Sequence, residues 1–456
     1  MCGIFAIFSL EYKMEKMKEL IENMERLQHR GKDGYGLVGL ASGKRFIIFR
    51  KKGMITDKLN VEYGGVNSYS CLGHLRYSTS GATMKEGKVK EVEIQPIKGV
   101  DEEEGIFYIA HNGNIPNRKQ HDTLYLKELI ERGKGNFEKK LINLMETVPA
   151  AYSIVILTSR NKLYILRDKY GIRPMCIGEK EGRYYVSSES CAFDNGVNYI
   201  RDVNPGEIIK IDENGLQSLY NHVESKLSLC TFEILYFLNE NSYVDGLHIK
   251  NIRKNLGRKL AGKEDVLSVG DDLIVMGIPL TGICYGKEYA QEMGYKYEQL
   301  IKKKENATRT FIILNEVERK KACEDKFIYE EEIKDKRLVV VDDTIVRGNV
   351  IKSIIRNLKK LGAREIHIRI PGPPVIDICE LGISIQSKEE LIMNERTIDE
   401  VCEEIGADTL RYLKIEDMEY FPKDSYNQCF TGYIEEGIIQ KNLKKGTRRL
   451  NEISTG

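Results

Sequence analysis

Val340-Val341-Asp342-Asp343-Thr344-Ile345-Val346-Arg347-Gly348 follows an apolar run, Leu338 to Val341, that reads as a buried strand. Beyond it, Ile351, Ile354, Ile355, Leu358 and Leu361 mark one face of a helix, and Gly362 is its stop. Ile366, Ile368 and Ile370 then alternate as a second strand up to Pro371. Strand, loop, helix, strand is a parallel crossover unit, so this part of the chain is expected to be an α/β domain. The loop at the carboxyl end of such a strand is where open α/β sheets bind ligands. Adjacent carboxylates at Asp342 and Asp343 can accept bonds from vicinal hydroxyls or sit near Mg²⁺. The turn after them can offer backbone N–H groups and a helix N-terminus to a phosphate. The physical fit is to a phosphorylated ribose; read alone, the same residues also describe an acidic N-cap on a plain helix.

Working outward, Leu273 to Ile278 is another apolar strand ending at Pro279, and from Cys230 onward helical segments alternate with such strands. The texture before about residue 212 differs. Phe46 to Phe49, Ala151 to Thr158, Leu163 to Leu166, Arg183 to Val186 and Gly206 to Ile211 read as short strands in an antiparallel meander, with helices expected over Met14 to Gln28 and Thr123 to Arg132. A boundary near residue 225 therefore divides the chain into domains 1–225 and 226–456. Lys302 to Glu332 is rich in charge and reads as a long excursion or a solvated helix. At 456 residues the chain exceeds what one core can organise. Its 70 basic and 69 acidic side chains leave a formal charge of +1, which gives no support to a nucleic-acid or membrane partner. No apolar run reaches the ~18 residues of a membrane span. The N-terminus lacks a secretory pattern, and the ten cysteines include no Cys-x-x-Cys pair, so a reduced cytoplasmic chain is expected.

The chain opens Met1-Cys2-Gly3-Ile4, and a second residue this small permits removal of the initiator Met. A terminal cysteine can be its own catalytic pair, its thiolate attacking while the free α-amine serves as base. That amine titrates near neutrality. Taken singly, Cys2 is more often a bystander, Asn112-Gly113 passes as a hairpin turn, and Asp122 as a helix N-cap. Together with His29-Arg30-Gly31, Gly73-His74-Leu75-Arg76-Tyr77-Ser78-Thr79, His111-Asn112-Gly113-Asn114 and Asp122-Thr123, the start of the chain resembles the class II glutamine amidotransferases. The resemblance implies an α+β N-terminal-nucleophile fold, a four-layer αββα sandwich. It implies Cys2 as nucleophile, with the Asn112 side chain and the Gly113 backbone N–H as oxyanion hole. Arg76 would hold the glutamine α-carboxylate and Asp122 its α-ammonium. Arg167 to Pro174 and Ser188-Glu189-Ser190-Cys191 also look like this family and are assigned to structure and the domain contact.

The motif at 340–348 resembles the ligand signature of type I phosphoribosyltransferases. With Ile278-Pro279-Leu280-Thr281-Gly282, Arg309-Thr310-Phe311-Ile312 and Lys326, nearly the whole chain is similar to the glutamine phosphoribosylpyrophosphate amidotransferases, which open purine synthesis. That family implies an α/β type I phosphoribosyltransferase domain after the sandwich, with glutamine and phosphoribosylpyrophosphate as substrates. It also implies Mg²⁺ at Thr281, Asp342 and Asp343, and a 5′-phosphate loop of Thr344, Arg347, Gly348 and Asn349. Arg309 and Lys326 would be further phosphoribosylpyrophosphate contacts, purine nucleotides the regulators, and the assembly a homo-oligomer. Several positions depart from the family pattern. Asn349-Val350 replaces two threonines, and Glu305, Glu324 and Asp325 stand in a loop that is basic elsewhere, so weaker coupling of ligand binding to glutamine hydrolysis is expected. Phe237 to Ser242 lacks an Arg-Pro pair. Some members hold a four-iron cluster on four cysteines; Cys230, Cys379 and Cys429 fall at three of those places and Tyr426 at the fourth, so an incomplete site is expected. Alternative readings give the second domain another ammonia acceptor, or make it a non-catalytic sensor of phosphoribosylpyrophosphate or nucleotides.

Overall fold

Gly3–Ser9 is buried along its whole length because its two faces serve two cores. Ile4, Ala6 and Phe8 turn into one, Phe5 and Ile7 into the other, as the two-residue period of a strand requires. The computed structural model describes residues 1–433 apart from 11–14, 57–58, 60–64, 78–93, 117–120, 194–195, 265–266, 268–269, 305–325, 382–384 and 386. Gly3–Ser9 is the middle strand of a seven-stranded antiparallel sheet ordered Asn198–Asp202, Cys176–Lys180, Arg183–Ser187, Gly3–Ser9, Ser70–Arg76, Gly34–Ala41, Arg45–Lys52. A six-stranded antiparallel sheet lies against it, ordered Gly215–Asn221, Glu207–Asp212, Leu163–Arg167, Ala151–Thr158, Gly105–Asn114, Ile97–Asp101. Ile4, Leu72, Val155, Ile165 and Ile209 fill the space between them. Helix Lys18–Arg26 covers the outer face of the first sheet through Leu20, Ile21 and Met24. Helices Asp122–Arg132 and Phe137–Thr147 cover the second through Leu126, Ile130, Leu141 and Leu144. The result is the αββα sandwich.

Two expectations change here. The single meander is divided between sheets: Ala151–Thr158, Leu163–Arg167 and Glu207–Asp212 are neighbours in one, while Arg183–Ser187 pairs with Gly3–Ser9 in the other. The inner strands of both sheets, such as Gly3–Ser9 in one and Ala151–Thr158 and Leu163–Arg167 in the other, are buried on both faces, so their patterning carries no mark of which sheet they join. The first helix starts at Lys18, not Met14, because Glu15–Lys16 is drawn into a ribbon with Asn67–Ser68.

The second half is built on a five-stranded parallel sheet ordered Lys296–Tyr297, Leu273–Gly277, Arg337–Val341, Glu365–Ile370, Thr409–Tyr412. Leu273, Val275, Val339 and Val341 pack on helices Ile249–Ala261 and Gly282–Met293. Ile274, Met276, Leu338 and Val340 pack on helices Asn349–Lys360 and Ile398–Ile405. The charged excursion leaves and returns as an antiparallel ribbon, Ile301–Lys303 against Phe327–Tyr329. Residues 305–325, with Glu305, Arg309, Glu324 and Asp325, lie outside the described residues. No helix among the described residues is long and apolar enough to cross a membrane.

The carboxyl ends of Leu273–Gly277 and Arg337–Val341 meet the start of helix Gly282–Met293 without room for side chains. A Cβ on Gly277 would run into the Gly282 carbonyl, and one on Gly282 into the Val341 carbonyl. Gly282→Ala is expected to lose about 1–3 kcal/mol by overpacking against backbone. Gly262→Ala, where the nearest atom to a new Cβ is 3.6 Å away, should be neutral. Thermal unfolding of both variants checks this, and equal midpoints would contradict the close approach.

Candidate active site

Cys2 sits at the entrance to the central strand, where its backbone is held from several directions. Its backbone N–H donates to Asn112 Oδ1 at 2.9 Å, and its carbonyl accepts from Arg30 Nε at 2.9 Å. The Tyr77 N–H points at its Sγ at 3.5 Å. Asn112 and Gly113 do not form a turn; they end strand Gly105–Asn114, opposite Ser153 and Tyr152. Gly113 is required by crowding, since a Cβ there would run into the Ala151 carbonyl and lie 2.8 Å from His111 Nε2. Asn112 is fully buried, and its Nδ2 has no hydrogen-bond partner among the described residues. A buried amide donor left over beside a nucleophile is costly unless a substrate oxygen takes it.

Arg76 closes strand Ser70–Arg76 and is almost fully buried, with Nη1 3.1 Å from His121 Nε2. Asp122 opens helix Asp122–Arg132, and its Oδ2 accepts the Ile115 N–H at 3.1 Å. Burial, with Arg76 and neighbouring imidazoles adding repulsion, keeps the nearby histidines neutral. His74 lies well below its usual range, His111 falls to about 3 and His121 to about 4. The Arg76 guanidinium thus stands among uncharged rings, with a geometry suited to a carboxylate.

Behind Cys2 lies a buried ion network. Arg30 Nη1 meets Glu189, and Nη2 meets Glu233 Oε1 at 2.5 Å. Arg173 Nη1 takes the other Glu233 oxygen at 2.8 Å. Glu189 also accepts from His29 Nε2, the Asn239 N–H and Ser242 Oγ, each at 2.8 Å. Although burial opposes its charge, these donors hold its carboxyl well below the usual range. Arg167 pairs with both Asp245 oxygens at 2.7 Å. Arg167, Arg173 and Glu189 therefore do join the two halves, as their motifs suggested; Glu233 carried no sequence signal, being one acidic residue in an apolar stretch. His29, Glu189 and Cys191 form the one trio of metal-type ligands within 4.8 Å among the described residues, but the Glu189 oxygens are already engaged by Arg30, Ser242 and Asn239.

The second site lies at the carboxyl end of strand Arg337–Val341. Thr344 Oγ1 donates to Asp343 Oδ1 at 2.9 Å, the Asp343 N–H to Asp342 Oδ1 at 3.0 Å, and the Thr281 side chain is bonded to Asp343. Burial pushes the Asp343 carboxyl up to about 6 and Asp342 well up, the latter further raised by Asp343. Lys326 acts on both in the opposite sense. Two adjacent carboxylates, Asp343 buried and Asp342 half-buried, with a hydroxyl beside them suit a hard divalent cation completed by ligand oxygens. Gly348, at φ 75°, turns the chain into helix Asn349–Lys360 and has Ile392 where a Cβ would stand. Arg347 Nε donates to Glu390 Oε2 at 2.8 Å. One cavity of about 750 Å³ runs from Met1 and Tyr77, beside Cys2, past Phe237 to Asp342, Asp343 and Gly348.

The four cluster-type positions also come together. Cys230 bridges Tyr426, and Cys379 Sγ is 3.9 Å from the Tyr426 hydroxyl, which donates to Gln428 Oε1. All four side chains are packed into one apolar cluster with Phe232 and Phe430. Burial pushes the Cys230 thiol up to about 12 and the Cys429 thiol well above its usual range. A phenol engaged with an amide stands where a fourth thiolate would be needed, so the four side chains do not make up the thiolate set of an iron–sulfur cluster.

A family model for a glutamine amidotransferase domain matches residues 88–195. The amidophosphoribosyltransferase of Bacillus subtilis is 32% identical, covering 97% of this chain and 95% of its own. That of Methanocaldococcus jannaschii is also 32% identical, over 97% of this chain and 99% of its own. Among solved structures, the B. subtilis glutamine phosphoribosylpyrophosphate amidotransferase complexed with ADP and GMP superposes with a TM-score of 0.84 at 31% identity, over 96% of this chain and 98% of that one. This chain belongs to the amidophosphoribosyltransferase family, enzymes that couple a glutamine amidotransferase domain to a transferase domain. Full-length similarity of this kind favours transfer over the sensor and other-acceptor readings.

The neutral histidines make stability pH-dependent. In the unfolded chain imidazoles take up protons below a pH of ~6.5, while His121 and His111 in the fold resist until about 4 and 3. Unfolding therefore binds protons in that window, and stability falls as pH drops, by on the order of 1 kcal/mol per pH unit for each histidine. His121→Gln should show a shallower fall in unfolding temperature between about pH 6.5 and about pH 4.5. An unchanged slope would contradict burial of a neutral ring.

Proposed function

We propose that the chain hydrolyses glutamine at Cys2 and transfers the ammonia to C1 of phosphoribosylpyrophosphate, giving 5-phosphoribosylamine, glutamate and pyrophosphate at the start of purine synthesis. The observation that carries this reading is the single cavity joining the surroundings of Cys2 to Asp342 and Asp343. Once Met1 is removed, the Cys2 amine takes the thiol proton and the thiolate attacks the side-chain amide carbon. Asn112 Nδ2 and the Gly113 N–H hold the oxyanion, Arg76 the α-carboxylate and Asp122 the α-ammonium. The protonated Cys2 amine gives that proton to the amide nitrogen as the C–N bond breaks, ammonia leaves, and water then cleaves the Cys2 thioester to free glutamate.

Ammonia moves along the cavity to the second site. There Thr344, Arg347, Gly348 and Asn349 take the 5′-phosphate through backbone N–H groups, hydroxyl and guanidinium. Lys326, which lines the cavity, is the proposed pyrophosphate contact; Arg309, the other residue proposed for that role, lies outside the described residues. Asp342 and Asp343, with Thr281 alongside, would hold a Mg²⁺ ion, and such an ion would supply charge neutralisation for the pyrophosphate. The protein's own part is to hold the ammonia lone pair and C1 in line while the C1–O bond breaks. Purine nucleotides are the proposed regulators, since the B. subtilis relative was solved with ADP and GMP. A cytoplasmic homo-oligomer without an iron–sulfur cluster completes the proposal, its cysteine trio serving as packing around Tyr426.

Cys2→Ala should abolish glutamate release, and a glutamine-like electrophile should label Cys2 alone among the ten cysteines; labelling elsewhere contradicts the assignment. Asp343→Asn should weaken Mg²⁺-dependent phosphoribosylpyrophosphate binding roughly ten- to hundredfold, the loss of about 1.5–3 kcal/mol for a charge-assisted contact. Calorimetry with equal affinities would refute it. Anaerobically purified protein should be colourless with little iron or sulfide; about four irons per chain, the content of a complete cluster of this kind, would refute the reading of Tyr426.

A further inference from the structure

Glu233 belongs to the second half of the chain, in the turn Glu233–Phe237, yet it is one residue away from the nucleophile. Its Oε1 takes Arg30 Nη2 at 2.5 Å, and Arg30 Nε donates to the Cys2 carbonyl at 2.9 Å. Arg30 and Glu233 are fully buried, so neither contact is screened by water. A guanidinium is a rigid plane, and here its plane is fixed by two carboxylates, Glu189 on one side and Glu233 on the other. With only Glu189 left it can pivot about that contact, and the donor to the Cys2 carbonyl swings away. The turn that carries Glu233 is itself tied to the transferase side. Arg253 donates to the Ile234 carbonyl at 2.9 Å and the Leu238 carbonyl at 2.7 Å, the Tyr285 hydroxyl to the Leu235 carbonyl at 2.9 Å.

We propose that Glu233 is a positioning residue for glutamine hydrolysis: through Arg30 it sets the backbone of Cys2, so that the second half of the chain holds the nucleophile of the first in register. This rests on Cys2 being the nucleophile. It gives the Arg30–Glu233 pair a task that charge balance alone does not. Arg76, Asn112 and Asp122 are untouched by it, so glutamine binding and hydrolysis should separate.

The test uses the full chain with Met1 removed and compares wild type, Glu233→Gln, Cys2→Ala and the double variant Glu233→Gln with Arg173→Met. Wild type buries two arginines against two glutamates here; the double variant buries Arg30 against Glu189 alone and restores the balance that Glu233→Gln upsets. Both Glu233 variants should lower kcat for glutamine hydrolysis about tenfold or more, with KM for glutamine moving less than about threefold, as misplacement of a reacting group does. Formation of phosphoribosylamine from added ammonium chloride, phosphoribosylpyrophosphate and Mg²⁺ should stay near the wild-type rate. Recovery of wild-type kcat in the double variant would overturn the proposal, since charge balance would then explain everything. So would a fall in the ammonia-dependent rate parallel to the glutamine-dependent one, which would mark Glu233 as structural only. Persistent hydrolysis in Cys2→Ala would instead refute the nucleophile assignment on which the proposal stands.

Discussion

Arg30, Arg173, Glu189 and Glu233 lie together with almost no exposure to water. Each comes from a different part of the chain: the loop after the first helix, the turn after strand Leu163–Arg167, the end of strand Arg183–Ser187, and the start of the second half. Desolvating a charge is expensive, and it is tolerated only where opposite charges and hydrogen bonds meet it with good geometry. Here Arg30 and Arg173 share Glu233, and Arg30 and His29 share Glu189. No partner can shift alone without stranding another. Through that closure Arg30 reaches the Cys2 carbonyl, and Glu233, Asn239 and Ser242 of the second half are seated on the sandwich. Break it on one side and the remaining charges are buried unpaired, a change costing about 3–5 kcal/mol.

The two chemistries on either side of this network ask for opposite environments. Amide cleavage needs donors aimed at a developing oxyanion, which Asn112 Nδ2 and the Gly113 N–H can supply from one rigid strand end. Transfer to a pentose phosphate needs a cation between two acids and a phosphate-binding turn, which the loop from Asp342 to Asn349 offers at the edge of a parallel sheet. Neither sheet could host both. Joining them end to end places Tyr77 and Phe237, edge-on at 5.6 Å, in the wall of the cavity that runs between the two sites.

Much of this was legible in the sequence, and for identifiable reasons. Motifs made of consecutive residues, such as Val340 to Gly348, state their own strand, turn and helix, and the structure shows each of them. The core strands were less legible. Gly3–Ser9, Gly34–Ala41 and Ser70–Arg76 are buried on both faces, so alternation, the signal of a half-exposed strand, is absent. Asn112-Gly113 shows the opposite trap: locally it is a turn dipeptide, but tertiary pairing makes it the end of a strand. Glu233 and Glu390 escaped notice because what makes them matter is a partner more than forty residues away, Arg30 for one and Arg347 for the other. No spacing rule reaches that far.

The central claim is that nitrogen released at Cys2 reaches C1 of the ribose inside the protein. The direct measurement supplies glutamine labelled with ¹⁵N at the side-chain amide, phosphoribosylpyrophosphate and Mg²⁺, together with excess unlabelled ammonium in the medium, and reads the isotope in 5-phosphoribosylamine after trapping. Retention of most of the ¹⁵N in the product is the result this account predicts. Dilution of the label to the level of the external ammonium, with glutamate still released, would mean that ammonia escapes to solvent and that the cavity does not connect the two reactions.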